Sequence, residues 1–236
     1  MPSQLIDGFG TTSTLADVFS DSAVVGAMLR FEAALARAQA RLGMIPATAA
    51  EAIAKTGGLD AAQFADQARQ SATLAIPFVN ALTERVRQAD PDAAKWVHWG
   101  GTSQDVLDTA LVLLLRDARQ ILAADHVRLA QSLRALSDRH AATVMLARTV
   151  LQPAPPTTFG YKAAGWFGAV HRSWRRLSQA FDQGLQLQFG GAAGTLAAYG
   201  VHGSQLADEV GRELQLAVPD APWHAHRDRL ASIVAD

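Results

Sequence analysis

The chain has 236 residues, 49% of them hydrophobic, and its 21 basic and 22 acidic residues leave a formal net charge of −1. That length can bury a substantial core and that apolar content excludes a disordered chain. The charge balance offers neither the basic excess of a nucleic-acid binder nor a charged tail, and the lack of cysteine excludes disulfides, thiolate metal sites and cysteine nucleophiles and fits a reducing compartment.

Residues 1–20 read as irregular, because Gly, Ser and Thr dominate. The stretch MPSQLIDGFGTTST has neither the basic residues nor the apolar core of a signal peptide. A helix is expected from Ser20 or Ser22, either of which suits the cap, to Gly43. Val24, Val25, Met28, Leu29, Phe31, Leu35 and Leu42 recur there at helical spacing, and Gly43 suits the position just past the end. Pro46 suits the first residue of a short helix ending near Gly57. Asp60 suits the cap of another, and Ile76 to Gln88 reads as a further helix.

The strongest periodic signal follows. Leu115, Leu122, Leu129 and Leu136 are spaced by seven, and Leu111, Ala118, Asp125 and Ser132 fill the alternate seam. This predicts one helix from about Ser103 to about Ala141. Burial within its own domain fits the pattern, but a period of 3.5 kept over four repeats favours packing shared in a bundle. The longest aliphatic run, Ala110 to Leu115, is far short of the roughly 20 residues that span a bilayer.

Pro153, Pro155 and Pro156 then forbid a regular helix. A second long helix is expected from Phe159 to about Leu187. Phe189 to Gly200 reads as a Gly/Ala turn region, Val201 to Leu216 as a helix, and Trp223 to Asp236 as the start of another. No stretch shows strand alternation and no repeat of 20–50 residues is visible. The expected class is all-α.

Four segments carry chemistry. GGTSQD, Gly100 to Asp105, puts glycines, hydroxyls and an amide at the mouth of the long helix. A plain cap needs only one hydroxyl; an anion site uses the whole set, because glycines admit a ligand and a helix N-terminus offers unpaired N–H groups. Both readings fit these residues. In ARTVLQ, Arg148 offers a planar fork for a carboxylate, with Thr149 and Gln152 as neutral donors; a solvated loop arginine is the plainer alternative. GGAAGT, Gly190 to Thr195, lacks a preceding strand and the Gly-Lys-Ser/Thr ending of a phosphate loop, so a sharp turn or close contact explains it better. In PWHAHRDR, His224 and His226 do not share a helix face, so a metal pair is not expected. Arg227 and Arg229 suit an anion or a pair with Asp220, Asp228 or Glu213. No G-x-S-x-G supports a serine hydrolase.

These segments, HWGGTSQDVLDT (98–109), ARTVLQPAPPTTFGYKAAGW (147–166), LQFGGAAGTLAAYG (187–200) and PWHAHRDR (222–229), resemble in order those of the fumarase/aspartase superfamily. Within it the chain is most similar to the 3-carboxy-cis,cis-muconate cycloisomerase branch, with adenylosuccinate lyase as the nearest rival. The resemblance implies an all-α fold, with a small helical N-terminal domain over residues 1–100. Residues 101–236 would form the N-terminal part of a long-helix bundle domain. It implies a homotetramer acting on a small tricarboxylate, with no cofactor or metal, while the charge balance and the lack of a signal peptide or spanning run leave a soluble cytoplasmic protein, without nucleic acid or membrane, as the default. It implies substrate contacts at Thr102, Ser103, Gln104, Thr149, Gln152 and Arg227, and catalytic roles for Arg148 and, as the one candidate acid, His98.

Two departures stand out. Many lyases of the superfamily carry a histidine where this chain has Val150, and its absence favours a cycloisomerase. The signature loop of the form GSSxMPxKxNP is missing, and the chain stops within the helical pattern LASIVAD. The expectation is the N-terminal portion of a longer protein with little activity by itself, or an inactive helical relative.

Overall fold

A computed structural model describes residues 8–235. The elements are mostly helical, with one small sheet. In chain order they are α1 (Ser13–Val18), α2 (Asp21–Arg41), α3 (Ala47–Lys55), α4 (Phe64–Ser71), α5 (Ala75–Ala89), α6 (Ser103–Arg139), β1 (Val144–Thr149), β2 (Gln152–Thr158), α7 (Phe159–Gly184), α8 (Gly203–Leu214) and α9 (Asp228–Ala235). Among the described residues no helix is long and apolar enough to cross a membrane.

The caps follow the chemistry of the sequence. Ser20 accepts from the Ala23 N–H to open α2, and Gly43 takes the left-handed conformation just past its end. Asp60 accepts from the Ala62 N–H and opens a 3-10 turn that leads into α4. Pro46 is the cap of α3 rather than its first residue, with an extended ψ of 140°. The expectation of an irregular stretch over residues 1–20 falls partly on residues 1–7, outside the described residues. Beyond them it is corrected by α1, whose cap Thr12 accepts from the Leu15 N–H.

A second correction is the hairpin. β1 and β2 pair antiparallel, from Val144 opposite Thr158 to Thr149 opposite Gln152, with an irregularity between Leu146 and Arg148. The prolines that forbid a helix tolerate an extended two-stranded ribbon, in which both strands are edges. The connection puts Val150 and Leu151 at φ 47° and 61°. Two left-handed residues suit a tight hairpin turn, yet this one lacks the usual Asn-Gly, and a β-branched residue there is strained. Third, α7 ends at Gly184 rather than Leu187, and the last helix begins at Asp228 rather than Trp223.

The chain forms two compact units. Among the described residues, one comprises those up to Ala118 together with Leu185–Arg227, and the other comprises Arg119–Gly184 and those from Asp228. The first has the larger core. Met28, Phe31 and Leu35 of α2 are sealed, as are Phe78, Leu82, Val106, Leu113, Leu187, Leu206, Val210 and Trp223. Each such side chain contributes roughly 1.5–3 kcal/mol of burial. The second unit seals little beyond Ala163, Ala180, Phe181 and Ile233. Its stretch of α6 keeps Leu129 at 48% and Val127 at 51% exposure, so the leucine stripe is incompletely covered by this chain.

Candidate functional site

The N-terminus of α6 does not use its hydroxyls as caps. Thr102 and Ser103 are half-buried, and neither side-chain oxygen has a hydrogen bond among the described residues. Instead Asp105 reaches back, its Oδ2 accepting from the Thr102 N–H at 3.2 Å. This is the return half of a capping box, supplied by the third helical residue. The N–H groups of Ser103 and Gln104 have no partner among the described residues, so the positive end of the helix stays open there.

Asp105 is itself a buried anion in a built cradle. Its Oδ1 accepts from Gln188 Nε2 at 3.0 Å and from Gly190 N at 2.9 Å, and its Oδ2 also accepts from Gly191 N at 2.9 Å. The glycine-rich segment thus holds the carboxylate of Asp105. Gln188 is fixed in turn. Its Oε1 accepts from the Trp223 N–H at 2.7 Å, and its backbone exchanges hydrogen bonds with the Thr109 hydroxyl. The Trp223 indole N–H donates to the Leu187 carbonyl at 3.0 Å. Burial pushes the Asp105 carboxyl above the ordinary carboxylate range, and its four donors oppose that push.

His98 stands at the entrance, with φ 54°. Its Nδ1 lies 2.5 Å from Oε1 of Glu32, a residue only 2% exposed. A Cβ on Gly101 would meet the His98 ring at 3.1 Å, and one on Gly100 would lie 2.5 Å from the Tyr199 ring. These glycines make room for the chain's own rings. Burial lowers the basicity of His98, but the charge and hydrogen bond of Glu32, with the charge of Asp105, outweigh it and raise the pKa above the ordinary value. Burial first, then Asp105 and Glu32, also raise that of the Tyr199 phenol. A raised histidine stabilises the fold fully below its unfolded value of about 6.5, and that contribution is lost as pH rises through its folded value. Urea midpoints are therefore expected to fall over that window in the native chain and to fall less in His98→Asn. Parallel curves would remove the pair from the stability balance.

Arg227 is committed within the chain. Its fork donates to both oxygens of Asp108, at 2.6 and 2.9 Å, and its guanidinium lies over the Trp223 ring at 5.4 Å. Asp108 was not among the partners suggested by the sequence. The Asp108 side chain is 4% exposed and that of Arg227 46%. Removing Arg227 leaves a buried carboxylate unpaired, but solvent reaches the site, so Arg227→Ala is expected to cost about 2 kcal/mol. Chemical denaturation in an Asp108→Asn background should show less than half that cost. An equal cost in both backgrounds would dissociate Arg227 from Asp108.

Arg148, Thr149 and Gln152 belong to the other unit, on the exposed end of the hairpin. Thr149 pairs with Gln152 across the strands, and Arg148 with Pro153. Among the described residues the Arg148 guanidinium makes no hydrogen bond or ion pair. His98, Thr102, Ser103, Gln104 and Arg227 all lie in the first unit.

A family model described as Lyase matches residues 9–235. The chain belongs to this family, the fumarase/aspartase superfamily. Its relatives within the superfamily include 3-carboxy-cis,cis-muconate cycloisomerase of Bradyrhizobium diazoefficiens, 50% identical over 89% of this chain and 48% of the relative. Nitrosuccinate lyase of Streptomyces davaonensis is 44% identical over 90% of this chain and 47% of that protein. The crystal structure of the 3-carboxy-cis,cis-muconate lactonizing enzyme from Pseudomonas putida superposes with a TM-score of 0.95 at 41% identity, covering 99% of this chain and 54% of that one. The chain spans about half the length of the curated relatives it matches.

The superfamily segments thus meet a network that sequence reasoning left unassigned. Glu32, Asp108 and Gln188 were not singled out, and Asp105 was quoted without a role. The available signal was a charged or polar residue on an apolar helix face, as Glu32 is between Phe31 and Leu35 on α2.

Proposed function

We propose that this superfamily member serves as a 3-carboxy-cis,cis-muconate cycloisomerase. The observation that carries the reading is the similarity to cycloisomerases, at 38–50% identity over 89–100% of this chain. The N–H groups of Ser103 and Gln104 and the hydroxyls of Thr102 and Ser103, unbonded among the described residues, support it, since they suit a carboxylate.

In this reading a substrate carboxylate oxygen bonds to a carbon of the conjugated C=C. The π pair moves into a second carboxylate as an aci-carboxylate, and one proton is taken up at carbon as the lactone forms. Contributed by different copies of the assembly, Thr102, Ser103, Gln104 and Arg227 of one and Thr149 and Gln152 of another hold and orient the tricarboxylate, with Arg227 acting through its remaining donors. Arg148 stabilises the charge that develops, and His98 supplies the proton. Residues 1–100 correspond to the small N-terminal domain and 101–236 to the start of the central bundle domain. The half-exposed Val127 and Leu129 of α6 suit a bundle shared between four copies, and we place the assembly in the cytoplasm.

A second reading, a lyase cleaving a C–N bond to release fumarate or a related acid, is favoured by the nitrosuccinate lyase relative. The test is to offer the expressed gene product 3-carboxy-cis,cis-muconate, adenylosuccinate and nitrosuccinate. Lactone formation from the first alone is expected; release of an unsaturated acid from either other compound, without lactone, would replace the first reading with the second.

A further inference from the structure

Glu32 sits where a carboxylate is costly. It is 2% exposed on the core face of α2, and Phe31 beside it is fully sealed. A buried ion pair is seldom a net source of stability compared with apolar residues of similar volume, so its presence calls for another account. The pair is closely fitted, with Nδ1 to Oε1 at 2.5 Å, and it forms across 66 residues of sequence. The backbone of His98 is held at φ 54°, a conformation costly for any side chain. The ring lies against Gly101, which offers no side chain to displace it. Among the described residues its Nε2 makes no hydrogen bond and is not among the sealed unpaired atoms. The charged groups acting on this imidazole are Glu32 from α2 and Asp105 from α6, and the same two carboxylates act on the Tyr199 phenol. The phenol donates to the Trp99 carbonyl at 3.2 Å, which also accepts from Gln39 Nε2 at 2.8 Å.

We propose that Glu32 is the positioning residue for His98, holding the Nδ1 proton so that Nε2 presents the transferable one beside the N-terminus of α6. This deepens the proposed function and rests on His98 as its proton donor. In the transfer, the Nε2–H bond breaks and its electron pair stays on nitrogen. The proton goes to the carbon of the aci-carboxylate, and the neutral imidazole keeps Nδ1–H against Glu32. Nε2 is then reprotonated from water. The raised basicity of His98 agrees with a carboxylate that favours the imidazolium.

The experiment is a long-range proton–nitrogen NMR titration of the whole chain. The His98 signal among the seven histidines is identified by its loss in His98→Asn. In the native chain the midpoint should lie above the ordinary value, and above that midpoint the neutral ring should carry its proton on Nδ1. Glu32→Gln should lower the midpoint by about one pH unit or more, about tenfold in proton affinity. Glu32→Asp, which keeps the charge, should restore part of it. An unchanged midpoint in Glu32→Gln, or a native ring protonated on Nε2 alone, overturns the proposal. Should Glu32→Gln not fold, the native tautomer and the Glu32→Asp midpoint decide the matter. No substrate is used, so a failed lactone assay and a failed titration are distinct results.

Discussion

Replacing Asp105 with alanine is expected to cost about 4 kcal/mol, a large share of the roughly 5–15 kcal/mol that keeps a domain folded. The carboxylate satisfies four donors at once, the N–H groups of Thr102, Gly190 and Gly191 and the amide of Gln188. Asp105 is fully sealed, so water cannot take its place without the loop moving. Each buried donor left unpaired costs roughly 1–3 kcal/mol, and partial relaxation of the glycine loop keeps the sum below the maximum. Asparagine keeps the shape but turns an NH2 toward other N–H groups, so Asp105→Asn should fall between alanine and the native chain. Urea unfolding followed by circular dichroism measures the series. A change under about 1 kcal/mol for alanine would mean that the loop finds other acceptors.

If the proposed cycloisomerase function holds, Arg148→Ala is expected to slow lactone formation by about a hundredfold or more, the size typical of removing one preorganised donor from a developing charge. The argument is one of availability. The guanidinium is exposed and, among the described residues, unpaired, next to a strained turn at Val150 and Leu151. Strain of that kind persists where the surroundings or a function require it. Arg148→Lys keeps the charge but loses the planar fork, so it should recover only part of the rate. Because Arg148 has no partner among the described residues, thermal stability should hardly move in either variant. A rate unaffected by alanine would detach the hairpin from the chemistry. A collapse of stability in place of rate would make Arg148 structural.

The sequence by itself determined most of the helical framework. Apolar spacing placed α2, α5, α6 and α7 to within a few residues, and Ser20 and Asp60 announced their caps, because a helix reads its own neighbours three and four positions away. Four short segments were enough to name the superfamily. The hairpin was not legible: its prolines signalled only the absence of helix, and its turn uses Val150 and Leu151 where Asn-Gly would have been read at once.

Only the tertiary structure decided the partners of the ionisable groups. The carboxylate of Asp105 meets donors 83 to 86 residues further along the chain, Arg227 closes on Asp108 across 119 residues, and Glu32 reaches His98 across 66. Such contacts leave no periodic trace, because nothing local depends on them. Their geometry is fixed by how the apolar faces pack, and the charges are then carried to wherever that packing puts them.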